Sequence, residues 1–278
     1  MSNSFIEGAE RQSDMLKKDR RLYEPLDSIG AESREFLTNY IGIPADELLG
    51  HLRRKNIGWE QDPWTCIGIN GFYRTYINDL PSYPEILSRL KRGQNLLDIG
   101  CCFAQDIRRL VYDGVPSENL RGADLHEEFI DLGYDLFRDR RTLKAEFVVG
   151  DVLKEYEYKR FDSKIDVVLA NLFFHVWNWK DQQRVGERIV KFTQPRKGSV
   201  IVGRQLGSIN PKEVTAPPRG SKVFLHNAET LRKLWDDIGV ATDTLWKVDF
   251  SFMSVDFAKQ LQGSDSDFQM FHFRIERQ

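Results

Sequence analysis

Several features that would assign this protein to a class at once are missing from its 278 residues. It has only three cysteines, Cys66, Cys101 and Cys102, and an odd number with two adjacent members is not typical of a secreted, disulfide-bonded protein. The sequence contains no Cys-x-x-Cys pair and no His-Glu-x-x-His stretch, so we expect no metal site. Sparse cysteine therefore indicates a reducing, cytoplasmic environment.

The sequence also lacks an excess of charge of one sign. Forty Lys and Arg residues stand against 42 Asp and Glu residues, which gives a formal net charge of −2. Because a nucleic-acid binder must neutralise phosphates, near-neutrality disfavours a nucleic-acid partner. No apolar run approaches the roughly 18 residues that span a bilayer, and the first residues lack the apolar core of a signal peptide. We expect no nucleic-acid or membrane partner, and a homodimer remains open.

Aromatic residues, in contrast, are abundant: 18 Phe, 9 Tyr and 6 Trp make up 12% of the chain. Ten of these 33 lie in the first 92 residues, where the pattern is mostly helical. Such a surplus suits a chain that both fills a core and lines a pocket for a flat or apolar ligand. We expect a helical, aromatic-rich cap over residues 1–92 and a second domain over residues 93–278.

After Gly93, short apolar runs alternate with helical patterns, which is typical of βαβ units and a parallel sheet. The last two apolar runs alternate like an antiparallel hairpin. The predicted strands are 95–99, 120–124, 145–149, 165–170, 199–205, 242–253 and 268–276. The predicted helices between them are 104–113, 127–138, 181–193 and 227–238.

The most informative stretch is Leu97-Asp-Ile-Gly-Cys-Cys-Phe-Ala104, where an apolar strand ends in an acid and small residues before a helix begins. By itself it suits an ordinary strand-to-helix turn equally well. Its spacing resembles motif I of class I S-adenosylmethionine (SAM) methyltransferases, Asp/Glu-x-Gly-x-Gly-x-Gly, with Asp98 and Gly100 kept and Cys102 and Ala104 at the other glycine positions. The resemblance implies a Rossmann-like fold with SAM at this turn. Phe103 either covers the amino-acid part of SAM or packs below it.

Acids end the next two predicted strands as well. The resemblance implies that Asp124 binds the ribose hydroxyls of SAM, beside Leu125, and that Asp151 meets the adenine amine, with Val152 near the ring. An ionised carboxylate that accepts from two hydroxyls makes a strong, oriented contact. Since ligands of open α/β sheets bind at the carboxyl edge, acids at successive strand ends support one shared site.

The fourth strand leads into Asn171-Leu-Phe-Phe174-His175, at the strand end that faces the methyl donor in class I methyltransferases. We assign Asn171 to the cofactor site. His175 is a candidate base or acceptor contact, although a half-buried histidine packed on Trp177 and Trp179 explains it as well.

The chain also resembles fungal methyltransferases of meroterpenoid and related natural-product pathways. The matching stretches are residues 97–108, Phe173-Phe-His175 followed by Trp179-x-x-Gln182, Gly198-Ser-Val-Ile-Val-Gly-Arg-Gln205 and Tyr83-Pro-Glu-Ile-Leu. The Cys-Cys variant of motif I is shared by that group. The resemblance implies SAM as methyl donor, S-adenosylhomocysteine as product and a small apolar acceptor, with a polyketide or meroterpenoid carboxylate favoured.

Acceptor-binding candidates come from the fifth strand and from the aromatic residues. Arg204 could pair with a substrate carboxylate or form an ion pair within the fold. The remaining candidates, each of which could instead simply pack in the core, are Gln205, Trp64, Tyr73 and Phe174. A carboxylate acceptor needs no base near pH 7, whereas a phenol does. Methylation of a phenol or an amine, and a SAM fold with another reaction, remain alternatives.

Overall fold

The computed structural model describes residues 23–55, 65–216, 220–253 and 267–278. Within these ranges, no helix is both long and apolar enough to cross a membrane. The chain divides into two compact units. The first comprises the described residues up to Thr75 together with Cys102–Gln105 and His126–Leu143, and the second comprises Tyr76–Cys101, Asp106–Leu125 and the described residues from Lys144 onward.

The second unit contains a seven-stranded sheet of order β3-β2-β1-β4-β5-β9-β8. Strands β1 to β5 are parallel, and β9 runs antiparallel to both β5 and β8. Its strands are β1 Leu96–Ile99, β2 Leu120–Asp124, β3 Glu146–Val149, β4 Val167–Leu169, β5 Val200–Ser208, β8 Trp246–Phe252 and β9 Phe268–Arg277. This sheet confirms the predicted fold class, including the antiparallel pair at its end.

The central strands are apolar because helices cover both faces of a parallel sheet. Every residue of β1 and of β4 is buried. Along β1, Leu97 and Ile99 point into a core shared with Val168 of β4 and Ile201 of β5. The alternate residues of these strands, including Asp98, therefore face the opposite side of the sheet. Side-chain period and register decide which side the polar groups occupy.

Helices of the second unit connect the strands. They are α4 Tyr83–Lys91, α5 Gln105–Tyr112 (its first residue belongs to the first unit), the short α7 Glu155–Tyr158, α8 Trp179–Phe192 and α9 Ala228–Thr242. Side chains that begin the last two helices act as caps: Asn178 accepts from the backbone N of Asp181, and Asn227 accepts from that of Thr230. Helix α9 runs to Thr242, four residues beyond the predicted end, so β8 begins only at Trp246.

A hairpin that the sequence reading missed follows β5. Strands β6, Lys212–Ala216, and β7, Ser221–Leu225, pair as a separate two-stranded sheet. Most of their side chains are exposed or half-buried, so the hydrophobic alternation that reveals a strand is weak there. Single-turn 3₁₀ helices complete the described elements at Gly71–Tyr73, Ile77–Asp79, Ser117–Asn119, Lys159–Phe161 and Phe174–Val176.

The first unit is helical. It contains α1 Ala31–Ile41, α2 Ala45–Lys55, the single turn α3 Thr65–Gly68 and α6 Glu127–Phe137. Phe36, Leu37, Leu48 and Leu52 are among the buried side chains of its core. Polar contacts fix the packing: His51 Nε2 lies 2.7 Å from the carbonyl oxygen of Leu136.

Candidate active site

The turn after β1 has an unusual backbone at alternate residues. Gly100, Cys102 and Ala104 have φ angles of 72°, 52° and 52°, which lie in the left-handed region. These are the motif I positions at which the resembling family has glycine. A residue with a Cβ pays roughly 1–2 kcal/mol for this conformation, so Cys102 and Ala104 hold a glycine-like path at some cost. The backbone N–H groups of Gly100 and Cys101 both donate to the carbonyl oxygen of Ala123, at 2.8 and 3.0 Å.

Gly100 is also required by its surroundings. A Cβ at this position would lie 2.6 Å from Cδ2 of Phe173, which is closer than real Cβ contacts. Phe173 is half-buried and packs edge-on against Trp177 with ring centroids 4.7 Å apart. The turn after β1 therefore lies against an aromatic side chain from the loop after β4.

Carboxylates converge beside this turn. Asp98 and Asp124 are buried on the face of the sheet opposite α8 and α9, because their neighbours Leu97, Ile99 and Ala123 face those helices. Burial raises the pKa of Asp98 well above its ordinary range, and the nearby carboxylates of Asp106 and Asp124 raise it further. Burial also raises the pKa of the Cys101 thiol, which keeps that thiol protonated. The cluster concentrates negative charge where a cationic ligand would be stabilised.

The ends of β2 and β3 have different surroundings. Leu125 is 57% exposed immediately after Asp124, whereas Val152 is buried in the core. Asp151 accepts a hydrogen bond from the backbone N of Leu153 at 2.9 Å through Oδ1. One oxygen of Asp151 therefore stabilises its own turn.

Asp106, at the start of α5, accepts three hydrogen bonds. Its Oδ1 accepts from the backbone N of Tyr76 at 2.6 Å and of Ile77 at 3.0 Å. Its Oδ2 accepts from Nδ2 of Asn171 at 2.8 Å. Burial raises the pKa of Asp106, while these three hydrogen bonds and the charge of Arg204 oppose the rise.

Arg204 lies on β5 at the carboxyl edge, on the same face as Asp98. Its guanidinium lies 3.4 Å from the centroid of the Tyr76 ring, and its backbone N donates to Oδ1 of Asn171 at 3.2 Å. His272 of β9 stands opposite Arg204 in the sheet register. The side chain of Arg204 is buried, so an anion that reached it would be held in a site of low dielectric constant.

Burial, together with the positive charge of Arg204, lowers the pKa of two nearby histidines. Burial lowers the pKa of His175 to about 4, and Arg204 contributes to the lowering. Burial and Arg204 also lower the pKa of His272. Among the residues described, the buried Nδ1 of His175 and Nε2 of His272 have no hydrogen-bond partner. His175 is therefore neutral at pH 7 and only weakly basic.

Other residues selected from the sequence lie in the cores. Phe174 is buried against Trp235 and Phe273, as the packing explanation expects. In the first unit, Phe103 is fully buried beside Phe72, and Tyr73 packs edge-on against Phe72. Trp64 lies outside the described residues.

Gln205 alternates to the face opposite Arg204 and is completely buried. Both polar atoms of its amide have no hydrogen-bond partner among the described residues. A buried amide without hydrogen-bond partners lowers the stability of the fold, and such groups are often found where a ligand supplies the missing partners.

Sequence reasoning did not select Asp106 or Phe173 as site residues, and it did not place Tyr76 beside Arg204. Asp106 stands eight residues after Asp98 in the same motif, and Phe173 directly precedes the selected Phe174. The spacing of these residues gave no indication that Tyr76 lies beneath Arg204, because only the tertiary fold brings them together.

Comparison with known proteins identifies the family. A family model for the meroterpenoid methyltransferase N-terminal domain matches residues 22–73, and one for a methyltransferase domain matches residues 96–196. The O-methyltransferase phiE of a fungal species (strain ATCC 74256) is 40% identical over 219 residues, which cover 77% of this chain and 73% of phiE. This chain belongs to the same family of fungal methyltransferases.

A second relative and a solved structure extend the comparison. The O-methyltransferase atr3 of Stereocaulon alpinum is 42% identical to this methyltransferase over 224 residues. The aligned region covers 78% of this chain and 64% of the length of atr3. The fold matches a 1,6-didemethyltoxoflavin-N1-methyltransferase of Burkholderia thailandensis with bound S-adenosylhomocysteine. The TM-score is 0.51 at 15% identity, over 84% of this chain and 91% of the other.

SAM is the methyl donor of this methyltransferase. The donor carries an ammonium and a sulfonium, and the buried carboxylates of Asp98 and Asp124 would supply the opposite charge. The residues present therefore fit the chemistry of the cofactor. When bound, SAM supplies an electrophilic methyl group.

Proposed function

We propose that this methyltransferase transfers the SAM methyl group to a carboxylate oxygen of a small apolar acceptor in a fungal secondary-metabolite pathway, most specifically a polyketide or meroterpenoid acid. A carboxylate oxygen attacks the methyl carbon as the carbon–sulfur bond breaks, and the products are a methyl ester and neutral S-adenosylhomocysteine. The proposal includes binding of SAM by the residues selected at the strand ends, with Asp98 towards its cationic end and Asp124 at its ribose hydroxyls.

The observation that carries the proposal is the buried guanidinium of Arg204, which β5 holds beyond the end of β4 at the carboxyl edge of the sheet. A planar guanidinium binds a carboxylate through two parallel hydrogen bonds, so it would fix the acceptor as well as attract it. Holding an oxygen in line with the methyl carbon is the main requirement of the reaction, and such positioning supplies roughly 7–11 kcal/mol in well-oriented systems.

The state of His175 favours a carboxylate over a phenol. A phenol of pKa near 10 needs a base to ionise it, whereas a carboxylic acid is ionised at pH 7 already. With a pKa of about 4, His175 is too weak a base for that purpose. In this proposal the neutral imidazole of His175, near Arg204, instead forms a hydrogen bond with the acceptor.

The relatives support the transfer to oxygen, since atr3 and phiE are both named O-methyltransferases. The near-neutral charge of the chain agrees with a small-molecule acceptor. An amine acceptor would place a second basic group beside Arg204, which costs electrostatic energy.

A matched acceptor panel tests the proposal. The chain is incubated with labelled SAM and three compounds that share one aromatic terpenoid body and differ only in carrying a carboxyl, a phenol or an amine. We expect label only in a methyl ester, identified by mass spectrometry and released by mild alkaline hydrolysis. Preferential labelling of the phenol or amine would overturn the assignment of the carboxylate.

A further inference from the structure

Arg204 is held at its backbone by a short chain of hydrogen bonds. Its N–H donates to Oδ1 of Asn171 at 3.2 Å, and Nδ2 of Asn171 donates to Oδ2 of Asp106 at 2.8 Å. Each atom of the Asn171 amide thus has a fixed role, since the oxygen must accept and the nitrogen must donate. The chain ends at the Asp106 carboxylate.

The side chain of Arg204 is held by a second route that ends at the same carboxylate. Oδ1 of Asp106 accepts from the consecutive backbone N–H groups of Tyr76 and Ile77, at 2.6 and 3.0 Å. These bonds fix the segment that carries the Tyr76 ring, and the guanidinium of Arg204 lies 3.4 Å from the centroid of that ring. Asp106 is 3% exposed, so water does not compete with these bonds.

We propose that Asp106 is a positioning residue, which holds both the backbone and the guanidinium of Arg204 so that the latter faces the carboxylate of the acceptor. This inference rests on the proposed function, because it assigns Arg204 to the acceptor. Asp106 itself touches neither the acceptor nor the methyl group in this scheme.

The bonding pattern requires a carboxylate at position 106. Three donors converge on Asp106: two backbone N–H groups and the amide nitrogen of Asn171. An asparagine would direct its own NH₂ at one of them. If the Asn171 amide turned over to accept from that NH₂, its nitrogen would meet the N–H of Arg204, and two donors would again face each other.

The same logic predicts a rescue. In the double variant Asp106→Asn with Asn171→Asp, the carboxylate at position 171 accepts both from the backbone N of Arg204 and from the new amide at position 106. The amide oxygen at position 106 then accepts from the N–H groups of Tyr76 and Ile77. Exchanging the two side chains therefore restores a donor opposite every acceptor.

The experiment measures steady-state kinetics with the carboxylic acid of the acceptor panel as substrate, together with SAM affinity by calorimetry. We expect Asp106→Asn to raise KM for the acid about 10- to 100-fold, because small misplacements of a positioning group have effects of this size. The dissociation constant for SAM should change less than about threefold. The double variant should have a kcat/KM at least tenfold higher than that of Asp106→Asn.

A buried aspartate in the other unit provides the matched control. Asp139 is 4% exposed and accepts from the hydroxyl of Tyr40 at 2.9 Å. Asp139→Asn should lower the melting temperature while leaving KM for the acid unchanged. A pure stability effect of Asp106→Asn, with the KM of the acid unchanged or with no rescue by the exchange, would overturn the positioning role.

An Arg204→Gln variant separates this inference from the proposed function. If Arg204→Gln raises KM for the acid and Asp106→Asn does not, the positioning role is wrong and the function stands. If Arg204→Gln leaves the kinetics with the acid unchanged, Arg204 does not bind the acceptor carboxylate and the positioning role is wrong, whereas only the acceptor panel can overturn the proposed function.

Discussion

The guanidinium of Arg204 stacks on the ring of Tyr76 at 3.4 Å from its centroid. The two residues are brought together by the fold from positions 128 apart in the chain, and both are buried. A cation held over an aromatic face gains about 0.5–2 kcal/mol, more when it is desolvated.

Removing the ring of Tyr76 tests this stacking. We expect Tyr76→Leu to raise KM for an acid acceptor about 2- to 30-fold, which is the same energy range expressed as a ratio. Tyr76→Phe keeps the ring and the backbone N–H, so its KM should stay close to that of the parent. Equal KM values for the leucine and phenylalanine variants would show that the ring has no part in acceptor binding.

Gly100 offers a test that separates backbone strain from a steric clash. Gly100→Ala places a Cβ 2.6 Å from Phe173 at a φ of +72°, whereas Gly198→Ala meets nothing within 4 Å at a φ of +86°. Both should lose about 1–2 kcal/mol of unfolding free energy from the left-handed backbone. Only Gly100→Ala should in addition weaken SAM binding. Chemical denaturation and calorimetry measure the two effects, and equal SAM affinity in both variants would contradict the role assigned to this turn.

Asp98 should show opposite effects on stability and on binding. Its buried carboxylate lies near those of Asp106 and Asp124, and its pKa is raised by burial first and by these charges second. Replacing it by asparagine removes a charge that folding disfavours, so we expect the melting temperature without SAM to rise. SAM affinity should fall about tenfold or more, since a hydrogen-bonded charge contact contributes roughly 1.5–3 kcal/mol.

The control for this test is Glu118→Gln, which removes an exposed acid paired with Lys144. It should leave the melting temperature without SAM and the SAM affinity unchanged within error, because exposed ion pairs contribute little to stability. A loss of stability without SAM in Asp98→Asn would be the opposite of what is expected from a carboxylate whose ionisation folding disfavours.

Acid sensitivity should depend on His226. Burial lowers its pKa from about 6.5 to about 3, and its ring nitrogens contact Thr230 and Gln182 at 3.1 and 3.2 Å. As pH falls below about 6.5, His226 therefore takes up a proton in the unfolded chain but not in the folded chain. The stability from neutral His226 is fully present above pH 6.5 and is lost as pH falls towards 3, by about 1.4 kcal/mol per pH unit.

We accordingly expect His226→Gln to be less stable than the parent at pH 7 but to lose about 2–3 kcal/mol less between pH 6.5 and 4.5. Urea denaturation at several pH values measures this difference. Parallel stability curves for the two proteins over that range would mean that His226 is protonated in the folded state.

The fold was predictable where local pattern and burial agree. The apolar runs of β1 and β5 identified buried strands, and the alternation around β8 and β9 identified an antiparallel pair. The pairing of β6 with β7 was not predictable, since the half-exposed side chains of Lys212–Ala216 show little alternation. Helix α9 extends to Thr242, beyond its predicted end, and is closed by Asp243 in the left-handed conformation, whose backbone N–H donates to the carbonyl oxygen of Gly239.

The candidate site was predictable to the extent that strand ends determine it. Asp98, Asp124 and Arg204 were selected from their positions after apolar runs, and alternation along the strands brings them to one face. The links from Asp106 to Asn171 and Tyr76 join positions 65 and 30 residues apart, respectively. Sequence spacing contains no information about such long-range hydrogen bonds, and it chose Phe174 where the fold presents Phe173 to Gly100.

The left-handed residues Cys102 and Ala104 bear on how such proteins are detected. A search for the letters Gly-x-Gly-x-Gly rejects this loop, although the φ angles at positions 100, 102 and 104 are all positive, in the left-handed region that glycine adopts most readily. The motif is thus a backbone conformation that more than one amino-acid sequence can adopt. β-Branched residues tolerate that conformation least, so valine, isoleucine and threonine should be rejected at both positions while alanine, cysteine, serine and asparagine are accepted.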